Sequence, residues 1–257
     1  MKPRIKIAEV KTPDGGNLVL EQHDRDYYVR LSGETLMSTR STVSERFLAE
    51  VVARRLASKL EARVLIGGLG FGFTARELLD RTDRQVKVVV SELFQEVIDW
   101  NRDYLKEFNG DILEQSRIKV VCEDVSDAIG QPGKGGAFDA ILLDVDNGAS
   151  PLVQKRNSRL YSMRGLHRIA CALNDRGYIA VWSASPDLSF SRRMEQAGFT
   201  VEEIPVRAHE RARRSAHVVY LGRKNGSASR GPESKPESKS ESKSESKPES
   251  KPERRGE

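Results

Sequence analysis

Apolar and polar positions alternate in short runs over the first forty residues. Ile5–Val10, Leu18–His23, Tyr27–Leu31 and Glu34–Ser38 each read as a strand, because a period of two puts every second side chain on one face. Asp14-Gly15-Gly16-Asn17 and Ser32-Gly33 separate them as turns. This is too little material to fold alone, so a small sheet packed on a larger domain is expected. From Thr42 to about Leu60 the period becomes helical. Val43, Phe47, Leu48, Val51, Val52, Leu56 and Leu60 recur every three or four residues. Thr42 with Glu45 three residues on has the form of a capping box at the start of this helix.

Strand and helix patterns then alternate. Strands are predicted at Arg63–Ile66, Val86–Ser91, Ile118–Cys122, Phe138–Leu143 and Tyr178–Trp182, and helices at Thr74–Asp80, Gln95–Lys106, Ser158–Leu173 and Leu188–Ala197. Runs such as V-K-V-V-V, A-I-L-L and I-A-V-W suit strands covered on both faces. Val201–Val206 and His217–Leu221 follow with only a loop between them, which makes them an antiparallel pair. Alternating units of this kind build an α/β doubly wound, mostly parallel sheet. Ending in a strand pair instead of another βα unit is the order of a methyltransferase-type Rossmann fold. The expected division is residues 1–40 as a small β-rich region, 41–225 as the Rossmann-like catalytic domain and 226–257 as a tail.

Composition changes the picture at the C-terminus. From Gly226 to Glu257 no Val, Ile, Leu, Met, Phe, Tyr, Trp or Cys occurs, and E-S-K-P units repeat with period four. Such a stretch has no apolar surface to offset its conformational entropy, and a disordered, solubilising extension is expected. Over the whole chain 43 Lys and Arg face 38 Asp and Glu, a net charge of +5. That is too weak a field to imply a nucleic-acid partner. The sequence carries neither an apolar run of membrane-spanning length nor a signal-peptide pattern, so a cytoplasmic protein without a membrane partner is expected. Two cysteines, Cys122 and Cys171, cannot form a disulfide framework. His23, His167, His209 and His217 lack ligand spacing, so no metal is expected.

Candidate chemistry begins where the first parallel strand ends. Ile66 to Gly72 reads I-G-G-L-G-F-G, with Gly67, Gly68, Gly70 and Gly72 ahead of a helix opening at Thr74. Glycines allow close backbone approach, and the helix start offers free N–H groups. The dinucleotide fingerprint G-x-G-x-x-G is not met, since Phe73 stands at the last glycine position. An adenosyl-sulfonium ligand, without a pyrophosphate, fits better. Glu92 closes the second strand 22 residues after Gly70, where an acidic residue accepts ribose hydroxyls. Asp124, after the third strand, could accept from an adenine amino group; Asp is equally at home as a helix cap.

Asp144 follows three apolar residues at the carboxyl end of the fourth strand, in F-D-A-I-L-L-D-V-D, with Asp146 two residues on. Open α/β sheets hold ligands in that crevice. Together with Glu92 and Asp124, these carboxylates would attract a small cationic amine. A protonated amine must lose a proton before it attacks, and a carboxylate can take it. Asp144 is the expected base and Asp146 a second catalytic acid.

Arg63–Asp146 resembles the spermidine synthase, or polyamine aminopropyltransferase, family. Ile66-Gly67-Gly68 matches the family's I-G-G start, and Arg76-Glu77 resembles the R-E pair of its first helix. Glu92 matches the ribose-binding Glu, Asp124 the Asp of its G-D pair, and Asp144 the first Asp of its D-S-S-D-P-type motif, the acid/base position. The loop here lacks the family's G-G-G-D-G-G aspartate. In the segment M-S-T-R-S-T-V-S-E only Glu45 resembles the family's polyamine-contacting stretch. The resemblance implies decarboxylated S-adenosylmethionine as co-substrate and a di- or polyamine as acceptor. An S-adenosylmethionine-dependent methyltransferase and a non-catalytic nucleoside-binding protein are the alternatives, and a homodimer is left open.

Overall fold

A computed structural model describes residues 3–12, 15–130, 137–145, 157–207 and 215–226. Asp146 and the repeat tail therefore lie outside the described residues. Strands β1 (Ile5–Lys11), β2 (Asn17–His23), β3 (Asp26–Leu31) and β4 (Glu34–Ser38) form an antiparallel sheet in sequential order. Its last turn has positive φ at both Ser32 and Gly33, as a two-residue hairpin requires. After α1 (Val43–Leu56) the chain alternates: β5 (Arg63–Gly67), α2 (Phe73–Arg81), β6 (Lys87–Glu92), α3 (Gln95–Tyr104), α4 (Lys106–Asn109), β7 (Ile118–Cys122), α5 (Val125–Ile129) and β8 (Phe138–Leu143). It ends with α6 (Asn157–Leu160), α7 (Met163–Ala172), β9 (Leu173–Ser183), α8 (Leu188–Gln196), β10 (Phe199–Arg207) and β11 (Ser215–Lys224).

The large sheet has the order β10-β11-β9-β8-β5-β6-β7. Strands β7, β6, β5, β8 and β9 are mutually parallel, and β11 runs antiparallel between β9 and β10. The final pair is antiparallel as expected, but the last strand is inserted, not added at the edge. Period-two burial explains the two covered faces. Val64 and Ile66 of β5, with Ala140 and Leu142 of β8, pack against Leu48, Val52 and Leu78 of α1 and α2. Leu65, Ile141 and Leu143 point the other way, onto Leu166 and Ile169 of α7 and Phe190 of α8. Leu18, Leu20 and Val29 of the small sheet close over Phe71, Phe73, Val97 and Trp100. That contact holds the small sheet above the glycine loop and α3.

Three local expectations need correction. The helix expected to reach Leu60 ends at Leu56, and Leu60 is 72% exposed instead of extending the apolar stripe. The helix expected over 158–173 is divided, because Ser162 caps α7 by accepting from the Gly165 N–H at 3.2 Å. Leu173 belongs to β9, paired with Phe138, and Arg176 within the same strand has a φ of 60°. The Thr42–Glu45 capping box does not form: Thr42 makes no side-chain cap bond, and Glu45 turns elsewhere.

Candidate functional site

Strand β5 has β6 on one side and β8 on the other, because the chain runs outward through β6 and β7 and then crosses back to the far side of β5. A crevice opens at the carboxyl ends of the strands where this happens. Gly67 ends β5, and its carbonyl accepts the Asp144 N–H at 3.0 Å from the end of β8. Gly68 donates its N–H to the Ser91 carbonyl at 2.8 Å. The loop therefore starts pinned to both neighbours. Gly68 has φ of 90°, and a Cβ there would stand 2.6 Å from the Asp144 carbonyl oxygen. Only glycine satisfies both demands. Gly72, φ 80°, is the left-handed residue from which α2 starts.

Glu92 is buried at the end of β6. Its Oε2 accepts the Leu69 N–H at 2.9 Å, from inside the glycine loop, and its Oε1 accepts the Phe94 N–H at 3.0 Å. Burial pushes this carboxyl above the usual range, and the backbone amides of Phe94 and Leu69 pull it back. The amides of Leu93 and Gly70 act on it in the same direction, so four backbone N–H groups surround the carboxylate. Two buried asparagines complete the support. Asn101 donates from Nδ2 to the Gly70 carbonyl at 2.8 Å, and Asn109 from Nδ2 to the Phe71 carbonyl at 3.2 Å. Asn109 Nδ2 also reaches Asn101 Oδ1 at 2.8 Å. Neither asparagine belongs to a motif legible in the sequence. Asn101 lies four residues after Val97 on the buried face of an amphipathic helix, and a polar residue there was the available signal. Asn101→Ala is expected to cost about 1–3 kcal/mol, because it strips the Gly70 carbonyl and Asn109 of partners. Urea denaturation checks this, and an unchanged midpoint would show that the network does not brace the loop.

Two cavities meet over this crevice. The first is lined by Gly68, Gly70, Glu92, Leu93, Asp124 and Val125. The second is lined by Ser44, Glu45, Phe71, Phe73, Thr74 and Trp182. Leu36 and Met37 of the small sheet, Gly70 and Asp144 border both. Asp124 lines the first cavity and at the same time caps α5, its Oδ1 accepting the Ser126 N–H at 2.7 Å. Asp144 is partly buried, and its Oδ2 accepts the Thr74 hydroxyl at 2.8 Å from the first turn of α2. Desolvation pushes the Asp144 carboxyl up, and the Thr74 hydroxyl partly offsets this. Glu45, in the first turn of α1, takes a hydrogen bond from the Ser44 hydroxyl at 2.7 Å. Its carboxyl is pushed up to about 7, first by burial and then by the charge of Asp144.

The structure thus brings Gly68, Gly70, Glu92, Asp124 and Asp144 around joined cavities, with Gly67 and Gly72 shaping the loop from behind. Asp146 is outside the described residues. Among the described residues no cluster of His, Cys, Asp and Glu could hold a metal ion, and no helix is long and apolar enough to cross a membrane.

A model of the S-adenosyl-L-methionine-dependent methyltransferase family matches residues 87–218, just over half of the chain. The chain belongs to this family. The chain is also similar to the polyamine aminopropyltransferase of Corynebacterium efficiens, 31% identical over 183 residues, 71% of this chain and 34% of that protein. The polyamine aminopropyltransferase of Mycobacterium tuberculosis is 28% identical over 170 residues, 66% of this chain and 31% of that protein. The methyltransferase-family chain therefore spans about a third of the length of these curated relatives. The spermidine synthase from Thermotoga maritima superposes with a TM-score of 0.65 at 20% identity, over 86% of this chain and 73% of that one. A spermidine synthase in complex with the transition-state analogue AdoDATO gives 0.64 at 19% identity, over 86% and 72%. These likenesses establish the shared fold, and the sequence matches bear out the resemblance read in the motifs.

Proposed function

We propose that this chain transfers an aminopropyl group from decarboxylated S-adenosylmethionine to an amino group of a di- or polyamine. The observation that carries this reading is the acidic junction of the two cavities. Asp144 borders both the cavity beside the glycine loop and the cavity beyond it. The names of the relatives in sequence and fold support the same activity.

The loop of Gly67, Gly68, Gly70 and Gly72 would hold the nucleoside by close backbone contact. Glu92 would accept from the ribose hydroxyls, and Asp124 from the adenine amino group. The bound co-substrate supplies a methylene carbon made electrophilic by the adjoining sulfonium. Asp144 takes a proton from the acceptor's ammonium and directs the freed nitrogen lone pair at that carbon. The C–N bond forms as the C–S bond breaks, and its electron pair stays on sulfur in the departing thioether. Asp146, two residues on in the chain, is proposed as a second acid. A free carboxylate on the co-substrate would meet the charges of Asp144 and Glu45, so these residues favour the decarboxylated form. No metal takes part in this scheme. The acceptor is the small cationic partner, and we read the protein as cytoplasmic.

The family description supports a second reading, methyl transfer from intact S-adenosylmethionine. Incubation with 1,4-diaminobutane and either form of the co-substrate, followed by mass spectrometry, separates the two. The expected product is the diamine extended by one aminopropyl unit, formed only from the decarboxylated form. Methylated product from the intact form, with no aminopropyl product, would overturn the proposal.

A further inference from the structure

A third cavity, of about 680 Å³, lies between α5 and the corner where α6 meets α7. It touches the site described above only through Asp124, which borders the first cavity as well. Three guanidinium groups line it, from Arg159 in α6 and from Arg164 and Arg168 in α7. Arg164 and Arg168 are four residues apart, so they stand one above the other on the helix, and like charges at that spacing repel. Two carboxylates share the wall, Asp124 and Asp127, yet neither forms an ion pair with the three arginines among the described residues. Asp124 is engaged instead as the cap of α5. By contrast Arg54, Arg55, Arg81 and Arg102 each lie against a carboxylate.

The corner that gathers these arginines is tightly made. Ser162 donates its hydroxyl to the Arg159 carbonyl at 2.6 Å and accepts the Gly165 N–H at 3.2 Å. A Cβ at Gly165 would collide with the carbonyl oxygens of Arg159 and Leu160, so only glycine lets α6 close onto the start of α7. Arg168 is fixed by the end of α5. Its Nη2 donates to the Ser126 carbonyl at 2.5 Å and to the Gly130 carbonyl at 2.9 Å, and its Nε reaches Gly130 at 3.3 Å. Its Nη1 makes no hydrogen bond among the described residues. Arg159 and Arg164 are exposed and make no side-chain hydrogen bond there either. One guanidinium held rigid by backbone carbonyls, with two unpaired ones beside it, is a donor set suited to a doubly charged oxyanion.

We propose that this corner binds a phosphate group, with Arg159, Arg164 and Arg168 as its charged donors and the first turn of α7 adding partial positive charge. The ligand is inorganic phosphate or a small phosphomonoester. A long polyanion suits the cavity less well, because Asp124 and Asp127 stand on the same wall and repel a continuous run of charge. The proposed transfer reaction contains no phosphate, so this inference goes beyond that reading and does not depend on it.

The test is calorimetry on the full chain with inorganic phosphate and with glycerol 1-phosphate, at about pH 8, where the phosphate group is dianionic. Sodium chloride at matched ionic strength is the control. Wild type should show a saturable site for phosphate and none for chloride. Arg159→Gln and Arg164→Gln should each weaken binding about tenfold or more, through the loss of a charge-assisted hydrogen bond. Both should melt as wild type does, since neither side chain has a partner to lose. Asp127→Asn should act in the opposite direction and tighten binding, because it removes a like charge from the wall. Tighter binding of glycerol 1-phosphate would make a phosphorylated small molecule the ligand, and tighter binding of inorganic phosphate the free ion. No saturable phosphate binding by wild type would refute the proposal, as would an affinity unchanged when Arg159→Gln and Arg164→Gln are combined. Stronger binding of a short single-stranded RNA than of either phosphate would also overturn it, and would make the corner a nucleic-acid surface.

Discussion

Asp144→Asn is expected to lower turnover by about 10²–10⁴-fold while leaving nucleoside affinity near that of wild type. The side chain ends β8, where its backbone N–H is fixed to the Gly67 carbonyl and its Oδ2 to the Thr74 hydroxyl. Asn reproduces both contacts, because its amide oxygen still accepts from Thr74. It cannot take a proton from an ammonium, and it removes one of the two carboxylates lining the second cavity. Two further signatures follow from the electrostatics. The defect should shrink as pH rises, since more acceptor is already deprotonated and needs no base. The Glu45 carboxyl, raised in part by Asp144, should return toward its ordinary value in the variant. The measurement is product formation from decarboxylated S-adenosylmethionine across a pH series, with nucleoside binding followed in parallel. A variant as fast as wild type would remove Asp144 from the chemistry. A variant that loses nucleoside affinity to the same degree as turnover would make it a structural residue of the loop.

Glu92→Ala is expected to weaken binding of 5′-methylthioadenosine by about 10- to 150-fold, the loss of one or two charge-assisted hydrogen bonds to the ribose. The same carboxylate also accepts the N–H groups of Leu69 and Phe94. Its removal leaves two donors without partners in a buried place, which costs about 1–3 kcal/mol each and lowers the melting temperature as well. Glu92→Gln separates the two effects only in part, because one of its arms presents an N–H to an N–H. The decisive comparison is with Asn101→Ala, which loosens the same loop from the other side without touching the ribose position. If both variants lose affinity in proportion to their loss of stability, Glu92 acts through the loop. If Glu92→Ala loses far more affinity than Asn101→Ala at similar stability, it acts on the ligand. Calorimetry and thermal melting on both variants decide between these outcomes.

Most of the scaffold could be read locally. The apolar strands Val64–Ile66 and Ala140–Leu143 must be covered on both faces, whatever covers them, because every position in them is apolar. The glycines from Gly67 to Gly72 and the acidic residues closing β6 and β8 are likewise local signals, set by where a strand stops. Tertiary structure decided the rest. Ser162 divides an unbroken helical pattern because a serine cap there competes with one more helical turn, and the difference is about 1 kcal/mol. The last strand lies between β9 and β10 because Val218, Tyr220 and Val219 bury on both faces there, a pairing between distant segments that no short window contains. Asn101 and Asn109 are ordinary polar residues until α3 and α4 pack beneath the glycine loop. Glu45 is the sharpest case. In the sequence, three residues after Thr42, it has the spacing of a helix cap. That spacing describes neighbours along the chain and carries no information about what faces them. Only the docking of α1 beside the end of β8 puts a second carboxylate opposite Asp144 and lifts it toward neutrality, because desolvation and like charge act through space.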